Sequence, residues 1–367
     1  MILKKVYSPF IIFLCVLFHM IIISECPSCS AQEVSFPVYH DYNFPGSIDI
    51  CGEKMPLENQ NVWEMMDREF NIEVWDRAQV FLWLKRAGKY FPYVEEKLNE
   101  LGMPDDLKYV MVAESAFLNH ARSLKGAVGP WQFMTGTARL QGLRKNRMID
   151  ERRSLNLSTD AALKYLKGLN EKFGNWTLAI AAYNCGFGRL EKEIKEQKIK
   201  NFYRLNLPLE TERYIFRIAA AKVIIENPEK YGYKISPKNV YPKAKYATID
   251  INIRIPLHIN DVAHEIGTDF KILKELNHQF IDYYFTKGKH NLKVPPESVN
   301  KVPGVIKRLT IAAYKESKKK SNFYVIRQGD NLSKISRKTG VSVAKIKRLN
   351  GINGSLILAG QRLRIGP

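Results

Sequence analysis

Glu114-Ser115-Ala116-Phe117, continued by Gly126-Ala127-Val128-Gly129-Pro130-Trp131-Gln132-Phe133-Met134, sets a carboxylate among apolar neighbours. Leu107, Val110 and Met111 precede Glu114 at helical spacing and Phe117 follows it, so a helix would put all five on one face. An apolar face points at a core, and burial penalises the charged form of a carboxyl. A Glu protonated near neutral pH is a candidate general acid. The competing reading is a Glu at a helix end that reaches out to water. The face alone favours neither.

On the N-terminal side, Pro104-Asp105-Asp106 is a helix start, with Pro and acids in the first turn. Residues 123–136 are glycine-punctuated and read as a loop, in which Gly126 and Gly129 let the backbone approach a ligand. Ser158-Thr159-Asp160 is expected to cap a helix with Leu163, Leu166, Leu169 and Phe173 on its inner face. Trp176 to Tyr183 is apolar nearly all round and reads as a buried helix ending at Asn184-Cys185-Gly186. Pro208 precedes a helix from Glu210 to Glu226. Upstream, Trp63, Met66 and Phe70 begin one or two amphipathic helices, and Pro92 is expected to start another ending at Leu101. Residues 61–226 are therefore helix and loop.

After Pro228 the texture changes. Residues 260–277 and 333–350 align without gaps, pairing Gly267 with Gly340, Leu276 with Leu349 and Asn277 with Asn350. Short alternating runs flank each copy, which predicts two strand–helix–helix–strand modules. A basic spacer with Lys318-Lys319-Lys320 separates them.

The 367 residues are 45% hydrophobic and carry a net charge of +20. From Lys301 onward there are 16 Lys/Arg against 2 Asp/Glu, so the excess lies in the tail. That points to an anionic polymer, against the blander reading of a solvated basic surface. Lys4 and Lys5 before an apolar run from Phe10 to Ile23 read as a signal peptide, with Cys29-Ser30-Ala31 supplying small residues for cleavage. Export argues against nucleic acid as partner. A lipidated Cys26 or Cys29 is the alternative, though Glu25 departs from the small residue wanted before such a cysteine. Cleavage after Ala31 leaves Cys51 and Cys185, whose pairing sequence leaves open. No Cys or His spacing resembles a metal site, and no cofactor is expected.

Glu114-Ser115, Ser123, Gly126-Ala127, Gly129, Trp131-Gln132-Phe133-Met134, Asp150-Glu151-Arg152-Arg153, Ala181-Ala182-Tyr183-Asn184 and Pro208 with Glu210-Thr211 and Tyr214 resemble, in order and spacing, the transglycosylase SLT domain. Pro130-Trp131-Gln132, where much of that family has Leu-Met-Gln, and Gly102-Met103-Pro104-Asp105-Asp106-Leu107 are similar to the D branch of the membrane-bound lytic murein transglycosylases. Tyr324-Val325, Gly329-Asp330-Asn331-Leu332 and Leu349-Asn350 resemble a LysM peptidoglycan-binding module. The first module has His258-Ile259-Asn260-Asp261 at its entry and resembles a degenerate LysM. The expected organisation is a multi-domain chain: signal 1–31, linker 32–59, an all-α lysozyme-like domain 60–227, linker 228–245, a βααβ module 246–296, spacer 297–322 and a βααβ LysM module 323–367.

The resemblance implies cleavage of the MurNAc–GlcNAc β-1,4 bond of peptidoglycan with formation of 1,6-anhydro ends. Glu114 then acts as acid and base. Substrate would be met by Ser115, Ser123, Gln132, Met134, Tyr183, Asn184, Glu210 and Tyr214, and the LysM glycan site would use Gly329, Asp330, Asn331, Leu332 and Asn350. Against these roles stand plainer ones: Ser123 capping a turn, Tyr183 satisfying a buried carbonyl, Asn184 capping a helix, Trp131 and Met134 in the core. Glu210 is expected to hold Tyr183 or a backbone group. Asp150-Glu151-Arg152-Arg153 reads as an ion-paired corner, with a second catalytic carboxylate there the weaker alternative. A lysozyme-type hydrolase and a non-catalytic wall-binding protein are the rival functions. The expected setting is the periplasm or cell envelope, as a monomer acting on glycan strands.

Overall fold

The computed structural model describes residues 40–366; the expected signal segment, with Cys26 and Cys29, lies outside them. Two compact units divide at Met1–Asn43 and Phe44–Pro367. Of the first, residues 40–43 are described, with the His40 and Tyr42 rings 5.8 Å apart.

The second unit opens with a small antiparallel hairpin, β1 (Asp49–Ile50) and β2 (Glu53–Lys54). The linker expected over 32–59 is thus a packed element from here on: Ile48, Ile50 and Met55 are buried. The Glu53 carboxylate accepts hydrogen bonds from the Thr177 N–H at 3.0 Å and the Thr177 hydroxyl at 2.9 Å. It thereby caps the start of a buried helix, where the helix dipole favours an anion.

The body of the unit is helical. α1 (Gln60–Trp75) is capped by Asn59, and α2 (Arg77–Glu100) by Asp76. α2 runs through Pro92, so the break expected there is absent. Phe91 on one side and Val94 and Leu98 on the other are buried and hold the helix across the missing N–H. α3 (Lys108–Ser115) carries Glu114, and α4 is Thr135–Leu140. α5 (Leu155–Phe173) is entered at Ser154, one turn before the expected cap. Ser158 and Thr159 are buried inside it, and Thr159 Oγ1 accepts a 2.9 Å hydrogen bond from Trp131 Nε1. α6 (Trp176–Cys185), α7 (Phe187–Gln197) and α8 (Leu209–Glu226) complete the set. α8 is central, packing on α1, α3 and α6. Tyr231 and Tyr233 beyond it are also buried, so the expected 228–245 linker starts anchored.

The first module pairs β3 (Ala247–Ile253) antiparallel with β6 (Gly288–Val294), and β4 (Leu257–His258) with β5 (Tyr284–Phe285), around α9 (Ile259–Ile266) and α10 (Phe270–Leu276). Its core is not closed by these elements alone. Val302, Val305 and Ile306 of α11 (Val302–Ser321) are buried in it. Residues 297–322, expected as a spacer, therefore belong in part to the module, because burying such side chains is worth about 1.5–3 kcal/mol each. The second module pairs β7 (Phe323–Val325) with β8 (Arg362–Arg364) around α12 (Leu332–Thr339) and α13 (Val343–Asn350). Asn277 and Asn350 do the same work in the two copies. Each donates to a carbonyl four residues back, Leu273 at 3.0 Å or Ile346 at 2.7 Å, and to the last strand, Lys293 or Arg364, at 2.7 Å. Among the described residues, no helix is long and apolar enough to cross a membrane.

Candidate active site

Glu114 stands one residue from the end of α3. The helix stops because Ala116 (φ 49°) and Phe117 (φ 69°) turn left-handed, a conformation that strains residues with a Cβ. Phe117 therefore leaves the helical face on which it was expected, although it is fully buried. Three contacts hold the strained turn. Ser115 Oγ donates to the Pro130 carbonyl at 2.8 Å, Arg86 Nη1 donates to the Ala116 carbonyl at 3.0 Å, and Tyr90 stacks on Phe117 with centroids 5.7 Å apart.

The Glu114 carboxyl looks into a cleft of about 640 Å³ walled by α3, the 123–134 loop, the end of α6 and the start of α8. Part of its surface is open to the cleft, yet the protein packs densely around it. Burial is the main force on its pKa, pushing it up to about 7. A 2.5 Å hydrogen bond from the Tyr214 hydroxyl and the nearby Arg217 guanidinium pull the other way, and Glu210 adds a small upward push. Tyr214 is itself buried, its phenol held well above the ordinary range by burial and by Glu114.

The 123–134 loop is built by its own bonds. Ser123 Oγ accepts from the Ala127 N–H at 3.0 Å, closing a tight turn and leaving its own O–H available at the cleft wall. Gln132, with φ 45°, donates its side-chain N–H to Gly129 O at 2.7 Å and Ala121 O at 3.3 Å. Gly129 lies against the charged corner rather than a ligand: a Cβ there would sit 1.9 Å from Arg152 O, and its φ is +90°. Arg152 forms a bidentate pair with Asp150, at 2.8 and 2.7 Å, and donates to Phe133 O at 2.9 Å and Gly126 O at 3.2 Å. Glu151 is taken by Arg144, 2.6 Å away. The corner is thus structural, and neither acid is free for chemistry.

Residues 93–206 match the transglycosylase SLT domain model, and residues 324–366 match that of the LysM domain. The chain carries an SLT domain followed by a LysM domain. It is 31% identical over 293 residues to membrane-bound lytic murein transglycosylase D of Escherichia coli K12, covering 77% of this chain. The chain spans 64% of that relative's length. It is also 42% identical over 88 residues to peptidoglycan transglycosylase gp16 of phage T7, covering 23% of this chain and 7% of that one. Among solved structures, the 70 kDa soluble lytic transglycosylase SLT70 of Escherichia coli is 19% identical. The overlap covers 46% of this chain and 29% of that one, at a TM-score of 0.30.

Most expected site residues of the SLT domain converge on the cleft. Ser123, Gln132, Met134, Tyr183, Asn184, Glu210 and Tyr214 line it with Glu114, whereas Ser115 braces the loop from behind. Tyr183 donates to the Trp131 carbonyl at 2.7 Å, the plainer role weighed for it, and Asn184 Oδ1 accepts from Thr211 at 2.9 Å. Glu210 does not hold Tyr183 or a backbone group. It reaches Lys125 across the cleft mouth at 3.0 Å, both side chains largely in solvent. The residue that sequence reasoning missed is Arg217, which lines the cleft beside Glu114 and donates to Ala113 O at 3.0 Å. A signal for it existed: it stands one turn after Tyr214 on the same helix face.

In the LysM domain the five expected glycan residues are engaged internally. Asp330 accepts from Lys338 Nζ at 2.7 Å, Tyr324 Oη at 2.7 Å and Arg327 N at 2.9 Å, which hold its carboxyl well below the usual range. Asn331 caps α12, Leu332 is buried, Gly329 turns left-handed and Asn350 ties α13 to β8. Cys51 and Cys185 are free thiols, both pushed up by burial and so poor nucleophiles.

Proposed function

We propose that this chain is a lytic transglycosylase that cleaves the MurNAc–GlcNAc β-1,4 bond of peptidoglycan without water, in the cell envelope. The observation that carries this reading is the state of Glu114, a carboxyl with a pKa near 7 at the wall of an open cleft, held by Tyr214. The protonated Glu114 gives its proton to the glycosidic oxygen as the C1–O bond breaks. The GlcNAc side leaves with a free 4-hydroxyl, and positive charge develops on the MurNAc ring. The Glu114 carboxylate then accepts the proton of the MurNAc C6 hydroxyl as that oxygen bonds to C1. The 1,6-anhydro ring closes, and Glu114 is protonated again. One residue serves both steps, with Tyr214 and Arg217 stabilising the carboxylate between them. The Ser123 O–H is suited to donate to a substrate acetamido oxygen.

One feature favours a second reading. Glu210 also lines the cleft, and a hydrolase needs a second carboxylate to activate water. Its exposure and its pairing with Lys125 weaken the case. Mass spectrometry of the products from purified peptidoglycan separates the readings. Anhydro-muropeptides are expected; reducing ends would identify a hydrolase, and no soluble products a binding protein. Glu114→Gln is expected to abolish turnover while leaving wall binding intact, because an amide keeps the shape but has no proton to give. Near-normal activity in that variant would remove Glu114 from the chemistry.

A further inference from the structure

A second cavity, of about 560 Å³, lies between the charged corner and the start of α5 on one side and the β3–β6 pair on the other. It shares no lining residue with the catalytic cleft, and its size is that of a small-ligand site. The charged groups of its wall are already matched. Arg144 is taken by Glu151 at 2.6 Å, and Asp250 accepts from Asn291 Nδ2 at 2.9 Å. Lys293 donates to Asn156 Oδ1. Burial lowers the pKa of His290, and the neutral ring is held at both nitrogens, by Arg144 Nη2 at 3.4 Å and Thr286 O at 2.7 Å. Lys289 lies out in solvent. Three cations against two carboxylates leave little net charge, so the cavity does not call for a strongly charged occupant.

What the wall lacks is partners for its neutral groups. Gln279 is 7% exposed, and its side-chain amide forms no hydrogen bond among the described residues. It is not sealed in protein, as the buried unpartnered atoms elsewhere are; it opens on the cavity. Ser154, 6% exposed, precedes α5 without capping it, so its hydroxyl is free at the same wall. The N–H groups of Leu155, Asn156 and Leu157 are left open by the same omission, and the last two residues line the cavity. Asn252, from β3, adds a second free amide. Buried polar groups need partners. These call for acceptors to the N–H and O–H groups and donors to the two amide oxygens, set close together. A phosphate or carboxylate only accepts, and leaves both amide oxygens unmet. An extended peptide offers one N–H and one C=O per residue, at intervals of about 3.3 Å. Neighbouring hydroxyls of a sugar each donate and accept within the width of one ring. One apolar side chain from each domain, Leu157 and Ile251, suits the C–H faces of that ring.

We propose that this cavity is a saccharide-binding site, built jointly by the SLT domain and the first module and separate from the catalytic cleft. That the sugar belongs to a wall glycan rests on the function proposed above; that a sugar binds here does not. The site backs on the charged corner, whose Arg152 holds the Gly126 and Phe133 carbonyls of the cleft loop.

The test is hydrogen-exchange mass spectrometry of the full chain with the disaccharide of N-acetylglucosamine at millimolar concentration. Protection is expected in β3, in β6 and at the start of α5. Gln279→Leu is expected to raise the sugar concentration needed for that protection roughly tenfold, the loss of one hydrogen-bonding amide, while leaving any protection of the 123–134 loop as it was. Without sugar the same variant should melt no lower than wild type, because it removes a buried amide that bonds to nothing. Asn252→Ala, at an exposed strand position, should weaken the protection too. No protection of the three segments, protection indifferent to both substitutions, or equal protection by sodium phosphate or by acetyl-trialanine amide would each overturn the assignment. So would a Gln279→Leu chain that melts markedly lower, since the amide would then be a structural bond. The readout is local, so a cleft that leaves peptidoglycan uncut would sink the proposed function and not this site.

Discussion

At the scale of single residues, the site depends on carboxyls kept partly out of water. Glu114 titrates near 7 and Glu73 is pushed up to about 8, chiefly by burial, with Glu69 and Asp76 adding and Arg217 opposing. Both bind their protons more tightly when folded than when unfolded. Their contribution to stability is therefore full below about pH 4.5 and is lost as pH rises through 7 and 8. Glu73→Gln should raise the unfolding temperature at pH 8.5 and leave it unchanged at pH 4; a thermal melt at each pH checks this. Tyr214→Phe removes a bond that favours the Glu114 carboxylate, so the alkaline limb of the cleavage profile should move to higher pH. The maximal rate should fall roughly tenfold, the loss of one charge-assisted hydrogen bond. A limb that stays put would mean that Tyr214 only packs. Glu114 was legible in the sequence because its apolar neighbours betrayed burial. Glu73 and Arg217 were not, since a charge on an amphipathic helix reads as solvent-facing until the packing of α1 on α8 is known.

At the scale of elements, the cleft wall is a loop held by a corner. Gly129 touches Arg152 O so closely that any side chain must move one or the other, and its φ of +90° strains an L-residue besides. Gly129→Ala is expected to lower stability by about 2–4 kcal/mol and to depress activity beyond what the lost stability explains, as read by denaturant unfolding and by turnover well below the melting point. The helices were legible from spacing and caps, because each buries a stripe of its own. The hairpin at 49–54 was not: two-residue strands have no period, and the role of Glu53 as the cap of α6 joins positions that only the fold brings together. Pro92 misled for the opposite reason, because a local rule yielded to burial on both of its sides.

At the scale of the whole molecule, the domain order of helical SLT domain and two small α/β modules was legible from a repeat and a resemblance. The tie between the first module and the SLT domain was not. It runs in part through backbone bonds, Asp150 N to Gln279 O at 2.8 Å and Ile281 N to Met148 O at 3.0 Å, and in part through Ile149, which is buried in the module's core; no local pattern announces either. A chain ending at residue 322 is expected to melt with its first module intact and to lose binding to insoluble wall more than cleavage of a soluble fragment. A chain ending at 296 also loses Val302, Val305 and Ile306 from a core and should melt at lower temperature; equal melting of the two would place α11 outside that core. α11 has a further consequence. Its helix spans roughly 30 Å, and the Ile365 N–H bonds the Asn322 carbonyl just beyond its end. A flexible leash would let the blade wander through a sphere around its anchor. A strut holds it at one radius, so the wall would be cut at a set interval from each foothold, and fragment lengths would record the length of a helix.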